Sequence, residues 1–229
     1  MIAAIHQPNF IPWIGYFYKI AKSNIFILLD DVQYSKNSFI NRNQIVTPQG
    51  ANWVTLSVKQ SGKFAQNINA VILADREKNV STILKSIEGN YKKAPFFSEF
   101  FEIFKNDLLC SDNLSEINMS IIRSVCEFLS IETQLKISSQ LNVTGQSTMR
   151  LIDICKTVNS NEYLSGFGGN NYQEVALFQE HNIKLSISDF QHPKYQQLWT
   201  KEFQPNMSIL DFLFNCGKEY CTHFFKGTN

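Results

Sequence analysis

Apolar and polar positions alternate at two different periods along this chain. Apolar Ile2–Ile5 is followed by the polar turn His6-Gln7-Pro8-Asn9 and then by Pro12-Trp13, which predicts a helix to about Lys22 with proline at its start. Ile25–Leu29 is an unbroken apolar run, the mark of a strand in a parallel sheet covered on both faces. Strand, tight loop, helix and strand make a βαβ unit. Asp30-Asp31 stand at the carboxyl end of its second strand, the edge where open α/β sheets bind ligands.

The spacing then changes. Phe39–Thr47 and Trp53–Val58 predict strands around a Pro48-Gln49-Gly50 turn, and Ile68–Leu73 a further strand. Residues 76–91, 94–109 and 113–129 predict helices, with Ile117, Ile121, Ile122, Val125, Phe128 and Leu129 at helical spacing. Strand–helix alternation returns with a strand at 135–137 and a helix from Thr148 to about Val158 capped by Ser147. A strand at 162–165, a helix at 172–181 and a strand at 183–187 follow. Ser208 and Asp211 predict an N-capped helix with a capping-box-like pair and a stop at Gly217. The expected fold is α/β: a Rossmann-like, mostly parallel sheet built from both chain ends, with a β-rich stretch and a helical insertion in the middle. It is one domain, 1–229, with its core from about 1–75 and 131–229 and the helical region at about 76–130.

Composition narrows the function classes. At 44% hydrophobic residues, with 19 phenylalanines, the 229 residues carry enough apolar mass for a sizeable core. A net charge of +1 lacks the basic excess of a nucleic-acid binder. No run approaches the roughly 18 apolar residues of a membrane span, and Met1–Ile5 has no basic lead for a secretion signal. Cys110, Cys126, Cys155, Cys216 and Cys221 are odd in number and irregular in spacing, without C-x-x-C. That argues against a zinc site or a disulfide framework and for free thiols in a cytoplasmic protein.

Four polar constellations carry candidate chemistry. In the first, His6 and Gln7 precede Trp13-Ile14-Gly15-Tyr16. A helix start offers free N–H groups and a positive dipole end to a phosphate or carboxylate, and Gly15 allows a ligand or the sheet to approach closely. His6 either donates to a phosphate, acts as acid/base near neutral pH, or bonds a backbone carbonyl while Trp13 fills the core. In the second, Asp30 and Asp31 can hold Mg²⁺ or orient a hydroxyl or amine. Gln33 and Tyr34 follow, then Asn41-Arg42-Asn43, an anion fork between two amides, with strand alternation putting Asn41 and Asn43 on the face opposite Arg42. The third is Ser165-Gly166-Phe167-Gly168-Gly169-Asn170-Asn171-Tyr172, glycines between strand and helix that can form an anion nest but match neither GxGxxG nor a P-loop. The fourth is Asp189 and His192, a carboxylate and an imidazole three residues apart after a strand. No G-x-S-x-G elbow is present.

IHQPNFIPWIGYFYKI, LLDDVQYSKNSFINRNQI, YLSGFGGNNY, DFQHPKYQQ and SILDFLFNCG, in this order, resemble the WbqC-like protein family from residue 5 to about 217. The resemblance implies a role in bacterial surface polysaccharide (O-antigen, lipopolysaccharide) biosynthesis, acting on a nucleotide-linked amino sugar. A more distant likeness is to the nucleotidyltransferase and pantothenate-synthetase class. Trp13-Ile14-Gly15-Tyr16 stands where those enzymes carry H-x-G-H, so both histidines of that motif are absent. The expected activity is an acyl or aminoacyl transferase or amide ligase that joins an amino acid (glycine is one candidate) or another acyl group to the sugar amine. The donor is an ATP-activated acid, with Mg²⁺, or an acyl-CoA or carrier thioester. His6, Asp30, Asp31 and His192 are the expected catalytic residues, and Gln7, Trp13, Gly15, Tyr16, Gln33, Tyr34, Asn41, Arg42, Asn43, Ser165, Gly166, Gly168, Gly169, Asn171, Tyr172 and Asp189 are expected to bind substrate. The alternatives are a nucleotidyltransferase using ATP or CTP with Mg²⁺, and a non-catalytic sugar-nucleotide or glycan-binding partner.

Overall fold

A computed structural model describes residues 1–59, 65–166, 168 and 174–227. Its centre is a five-stranded sheet, β1 (Ile2–His6), β2 (Ile25–Leu28), β5 (Gln134–Ile137), β6 (Glu162–Ser165) and β7 (Lys184–Ile187), in the order β5-β2-β1-β6-β7. Every pairing in it is parallel. Both chain ends therefore build one Rossmann-like α/β sheet.

The apolar runs explain the layering. Along β1 and β2 successive side chains point to opposite faces. Ala3, Ile5, Ile25 and Ile27 pack with Ile152, Cys155 and Phe178 of α5 (Ser147–Thr157) and α6 (Val175–Glu180). Ala4, Phe26 and Leu28 face the other way, into a core shared with α1 (Ile14–Ala21), α4 (Leu114–Phe128) and α7 (Ile209–Lys226). Phe26 is fully buried there, as are Phe17, Phe212 and Phe214, each contributing roughly 1.5–3 kcal/mol of transfer free energy. α2 (Arg76–Tyr91) and α3 (Phe97–Leu109) join the same apolar cluster through Ile83, Ile87, Phe100 and Phe104. α4 directly precedes β5 and covers the sheet on the α1 side, so it serves as the β2–β5 crossover helix.

Several boundaries differ from the sequence pattern. The hairpin is β3 (Arg42–Thr47) and β4 (Gly50–Thr55), shorter at the start of β3 and shifted in β4, with Gly50 at φ +98°. Ile68–Leu73 is not a strand: Ile68–Ala70 is a 3₁₀ turn, and Ile72 and Leu73 make only isolated bridges, to Asn113 and Val58. The helix expected over 172–181 spans Val175–Glu180 among the described residues. Ser147 is not a cap but the first residue of α5, after Gln146. Ser208 caps α7 through Leu210 N–H, yet Asp211 does not close a capping box, because its carboxylate is taken by Tyr91, Tyr195 and Gln197. Gly217 is a kink rather than a stop. At φ +76° the chain bends and α7 continues to Lys226, with the Phe96 ring where a Cβ would lie.

Candidate functional site

The strand order runs outward on both sides of β1, and the reversal falls between β1 and β6. Open α/β sheets hold ligands beyond the carboxyl ends of the strands at such a reversal. All five strands reach that edge with polar residues: Ser138 and Ser139 after β5, Asp30 and Asp31 after β2, His6 and Gln7 at β1, Ser165 and Gly166 at β6, and Ser188 and Asp189 after β7. The ends lie within one residue of level: Leu28 pairs with both His6 and Ile137, Ser165 with Ile187, and Ala4 with Leu164, so β6 ends one residue short of β1.

The loop after β1 is held at almost every carbonyl. Gln7 O accepts from Tyr16 Oη (3.0 Å) and from His6 Nδ1 (3.0 Å). Pro8 O accepts from Asn118 Nδ2 (2.8 Å), and Phe10 O and Ile11 O from Asn43 Nδ2 (3.3 and 2.8 Å). Pro12 O accepts from Ile209 N–H at the start of α7 (2.8 Å). This network holds Ile11 at φ +37°, a conformation costly for a β-branched residue that persists only where the surroundings over-determine it.

His6 stands in this loop with its ring 4.9 Å from that of Tyr16. Burial, and the Lys19 charge beneath it, push its pKa down to about 3. The imidazole is therefore neutral at pH 7, not poised near neutrality as its residue type suggests. With Nδ1–H donated to Gln7 O, Nε2 is a hydrogen-bond acceptor. Lys19, 4% exposed, donates to Ile5 O (2.9 Å), and burial lowers it to about 7. The start of α1 is enclosed. A Cβ on Gly15 would fall 2.5 Å from the Trp13 ring, so the indole occupies the space expected for a ligand. Trp13 also packs edge-on against Phe190 at 5.1 Å and is bridged to Ser208. The phosphate seat expected at this helix start is corrected accordingly: Tyr16 is core, Trp13 is half-buried against it, and His6 and Gln7 reach the edge.

Asp30 and Asp31 sit in a built polar network. Asp30, 3% exposed, accepts from Ser139 N–H (3.0 Å), Ser139 Oγ (2.8 Å) and Asn69 Nδ2 (3.4 Å). Asp31 accepts from Ser138 Oγ (2.5 Å) and from Arg150 of α5 (2.6 Å) in a largely buried ion pair. With all four carboxylate oxygens engaged, the pair acts as an anchor for β5 and α5. Among the described residues no group of three or more His, Cys, Asp or Glu side chains is placed to hold a metal.

The other expected residues are spread more widely. Asn41 and Asn43 are buried, and Arg42 between them is half-buried. The amides do not flank Arg42 as ligand donors, however: Asn41 Nδ2 donates to Leu56 O (3.0 Å) and Asn43 to the β1 loop. Arg42 lies over the Trp53 ring at 4.2 Å. Gln33 bridges Asn67, and burial raises the pKa of the half-buried Tyr34. His192 Nδ1 donates to Pro193 O (2.9 Å) and Nε2 accepts from Asn206 N–H (3.2 Å), so neither nitrogen is free for proton transfer. Asp189 accepts from Tyr18 Oη (2.8 Å), which holds its carboxyl below the usual range. At the end of β6, Ser165 Oγ donates to Gly166 O (3.2 Å), and Gly168 is also described. Gly169, Asn171 and Tyr172 lie outside the described residues.

A cavity of about 460 Å³ borders this edge, lined by Asp30 and Ser139 together with Asn69, Asn113, Glu116 and Arg123. Of these, only Asp30 was legible as a site residue. Ser138-Ser139 had a signal, since a polar pair follows a predicted strand at the ligand edge. Asn69, Arg123 and Arg150 had none, because they are far from the strand ends in sequence and meet them only through the fold.

The WbqC-like protein family model matches residues 7–223. The chain is 36% identical over 219 residues to the uncharacterized protein Rv1507c of Mycobacterium tuberculosis, covering 94% of both chains. With the match spanning every strand of the sheet except β1, which ends at His6 just before it, the chain belongs to the WbqC-like protein family.

Proposed function

We propose that the protein joins an acyl or aminoacyl group to the amine of a nucleotide-linked amino sugar, for bacterial surface polysaccharide synthesis, at the carboxyl edge of its sheet. The observation that carries this reading is the convergence of polar residues from all five parallel strands, His6 and Gln7 at its centre, on one edge where the order reverses between β1 and β6. Adjacent strands lie ~4.8 Å apart. The edge from β5 to β6 thus spans about 14 Å, room for a sugar and an activated acyl group side by side. The sugar nucleotide sits over β1 and β6, where the segment after β6 carries Gly166 and Gly168. Neutral His6 accepts a hydrogen bond from the sugar amine through Nε2 and orients its lone pair. The amine nitrogen attacks the acyl carbon, the C–N bond forms, the bond to the leaving phosphate or thiolate breaks, and the amine proton departs with the leaving group or to solvent. His6 at a pKa of about 3 is a positioning acceptor rather than a proton store.

The test is a thermal-shift titration with UDP- and dTDP-linked amino sugars, ATP with Mg²⁺, and acetyl-CoA. A ligand that binds only the folded state raises Tm with its concentration over Kd. The expected result is protection by an amino-sugar nucleotide, weakened in His6→Ala, and an amide product by mass spectrometry when a donor is added. Protection by ATP with release of pyrophosphate and no amide would replace this reading with nucleotidyl transfer. No shift with any nucleotide sugar would overturn it.

A further inference from the structure

The cavity between the start of α4 and the ends of β2 and β5 is chemically unlike the rest of the edge. Its volume, about 460 Å³, lies within the roughly 300–1,000 Å³ of small-molecule sites. Two opposite charges line it from one helix. Glu116 and Arg123 are seven residues apart on α4, two helical turns on the same face. They make no ion pair with each other, and among the described residues Arg123 has no ion pair at all. Glu116 Oε2 accepts from Ser111 Oγ (2.6 Å). On the facing wall stand the Asp30 carboxylate with its Ser139 and Asn69 partners. Ser115, 1% exposed, also lines the cavity, and its hydroxyl has no partner among the described residues. Met119 and Ile137 supply the apolar part of the lining.

We infer that this cavity binds a free α-amino acid. Its ammonium lies toward Glu116 and Asp30, its carboxylate on the Arg123 guanidinium, and its side chain against Met119 and Ile137. A zwitterion is the ligand class that satisfies a cation and carboxylates sharing one cavity without pairing, and a guanidinium is the cation best shaped for a carboxylate. A simple anion would leave Glu116 without a cation, and a simple amine would leave Arg123 without an anion. As the source of the transferred acyl group, this amino acid rests on the function proposed above. As a bound ligand, it stands on the cavity alone.

The experiment is isothermal titration of the wild-type protein with each of the common α-amino acids, with acetate and methylammonium as single-charge controls. The expected result is saturable binding of at least one small amino acid, no binding of either control, and Kd raised about tenfold or more by Arg123→Gln and by Glu116→Gln. Both residues are exposed, so neither change threatens folding. The inference is overturned if no amino acid binds, if the controls compete equally, or if both variants bind unchanged. Titration with the amino-sugar nucleotides is read separately. Amino-acid binding without nucleotide binding leaves this site standing and removes the transferase reading.

Discussion

Asn43, in the first strand of the hairpin, donates its side-chain amide to the carbonyls of Phe10 and Ile11, 3.3 and 2.8 Å away. One buried amide, 1% exposed, thereby holds the left-handed Ile11 in the loop that carries His6 and Gln7. Asn43→Ala leaves two buried carbonyls without a donor, at a cost of about 2 kcal/mol. Urea unfolding should show a lower midpoint at unchanged slope, and amino-sugar nucleotide affinity should fall with the loss of loop order. Unchanged stability would refute the pinning role.

Gly15 and Trp13 form a second coupled pair. A methyl group on Gly15 would enter the indole, so Gly15→Ala should destabilise by about 1–3 kcal/mol through overpacking. Trp13→Leu removes the ring and should absorb part of that penalty. The two changes together are expected to cost less than their sum. Strict additivity in thermal unfolding would mean that the indole is not what excludes the side chain.

The Asp31–Arg150 pair is largely shielded, with side-chain exposures of 18% and 14%. It joins the end of β2 to α5. A double-mutant cycle with Asp31→Asn and Arg150→Met should give a coupling of about 1 kcal/mol or more, above that of an ordinary surface pair. The exposed Lys184–Glu162 pair, with Lys184 at 69%, is the control and should give a smaller value.

Lys19 makes stability depend on pH. Its pKa falls from 10.5 unfolded to about 7 folded, through burial. Between those values the unfolded chain binds more protons, so stability rises with pH. His6, lowered to about 3 by burial first and Lys19 second, acts with the same sign in a lower window: stability falls as pH drops from 6.5 toward 3. The Lys19 window is best read from pH 7 to about 8.5, before thiols of the unfolded chain ionise. Stability measured by urea unfolding should rise across that range, and Lys19→Met should flatten the rise. An identical slope in the variant would show that the amine is not desolvated in the folded protein.

The sheet was readable because its signals are local. The unbroken apolar run Ile25–Leu29 needs only burial on both faces to declare itself, the short strands at 135–137 and 162–165 stand out between helical stretches, and their polar endings mark the ligand edge. The failures are equally physical. Ile68–Leu73 has strand composition, but no neighbouring strand offers it a ladder, so it turns. Gly217 reads as a stop, yet Phe96 fills the space where a side chain would stand, and packing carries α7 onward.

The chain's own pattern determined the α/β class, the placement of both ends in one parallel sheet, and the presence of polar groups at strand ends, because period and composition act over a few residues. Only the tertiary structure decided what those groups do. Trp13 packs against the core rather than opening a ligand seat, because Ser208 and Phe190 lie against it. His192 lost its proton-transfer role to two backbone partners. Asp31 gained Arg150 from 119 residues away. Arg123 reached the Asp30 cavity because α4 is the crossover helix before β5. Hydrogen-bond partners and desolvation are set by which distant segments share a volume, and no local pattern encodes that sharing.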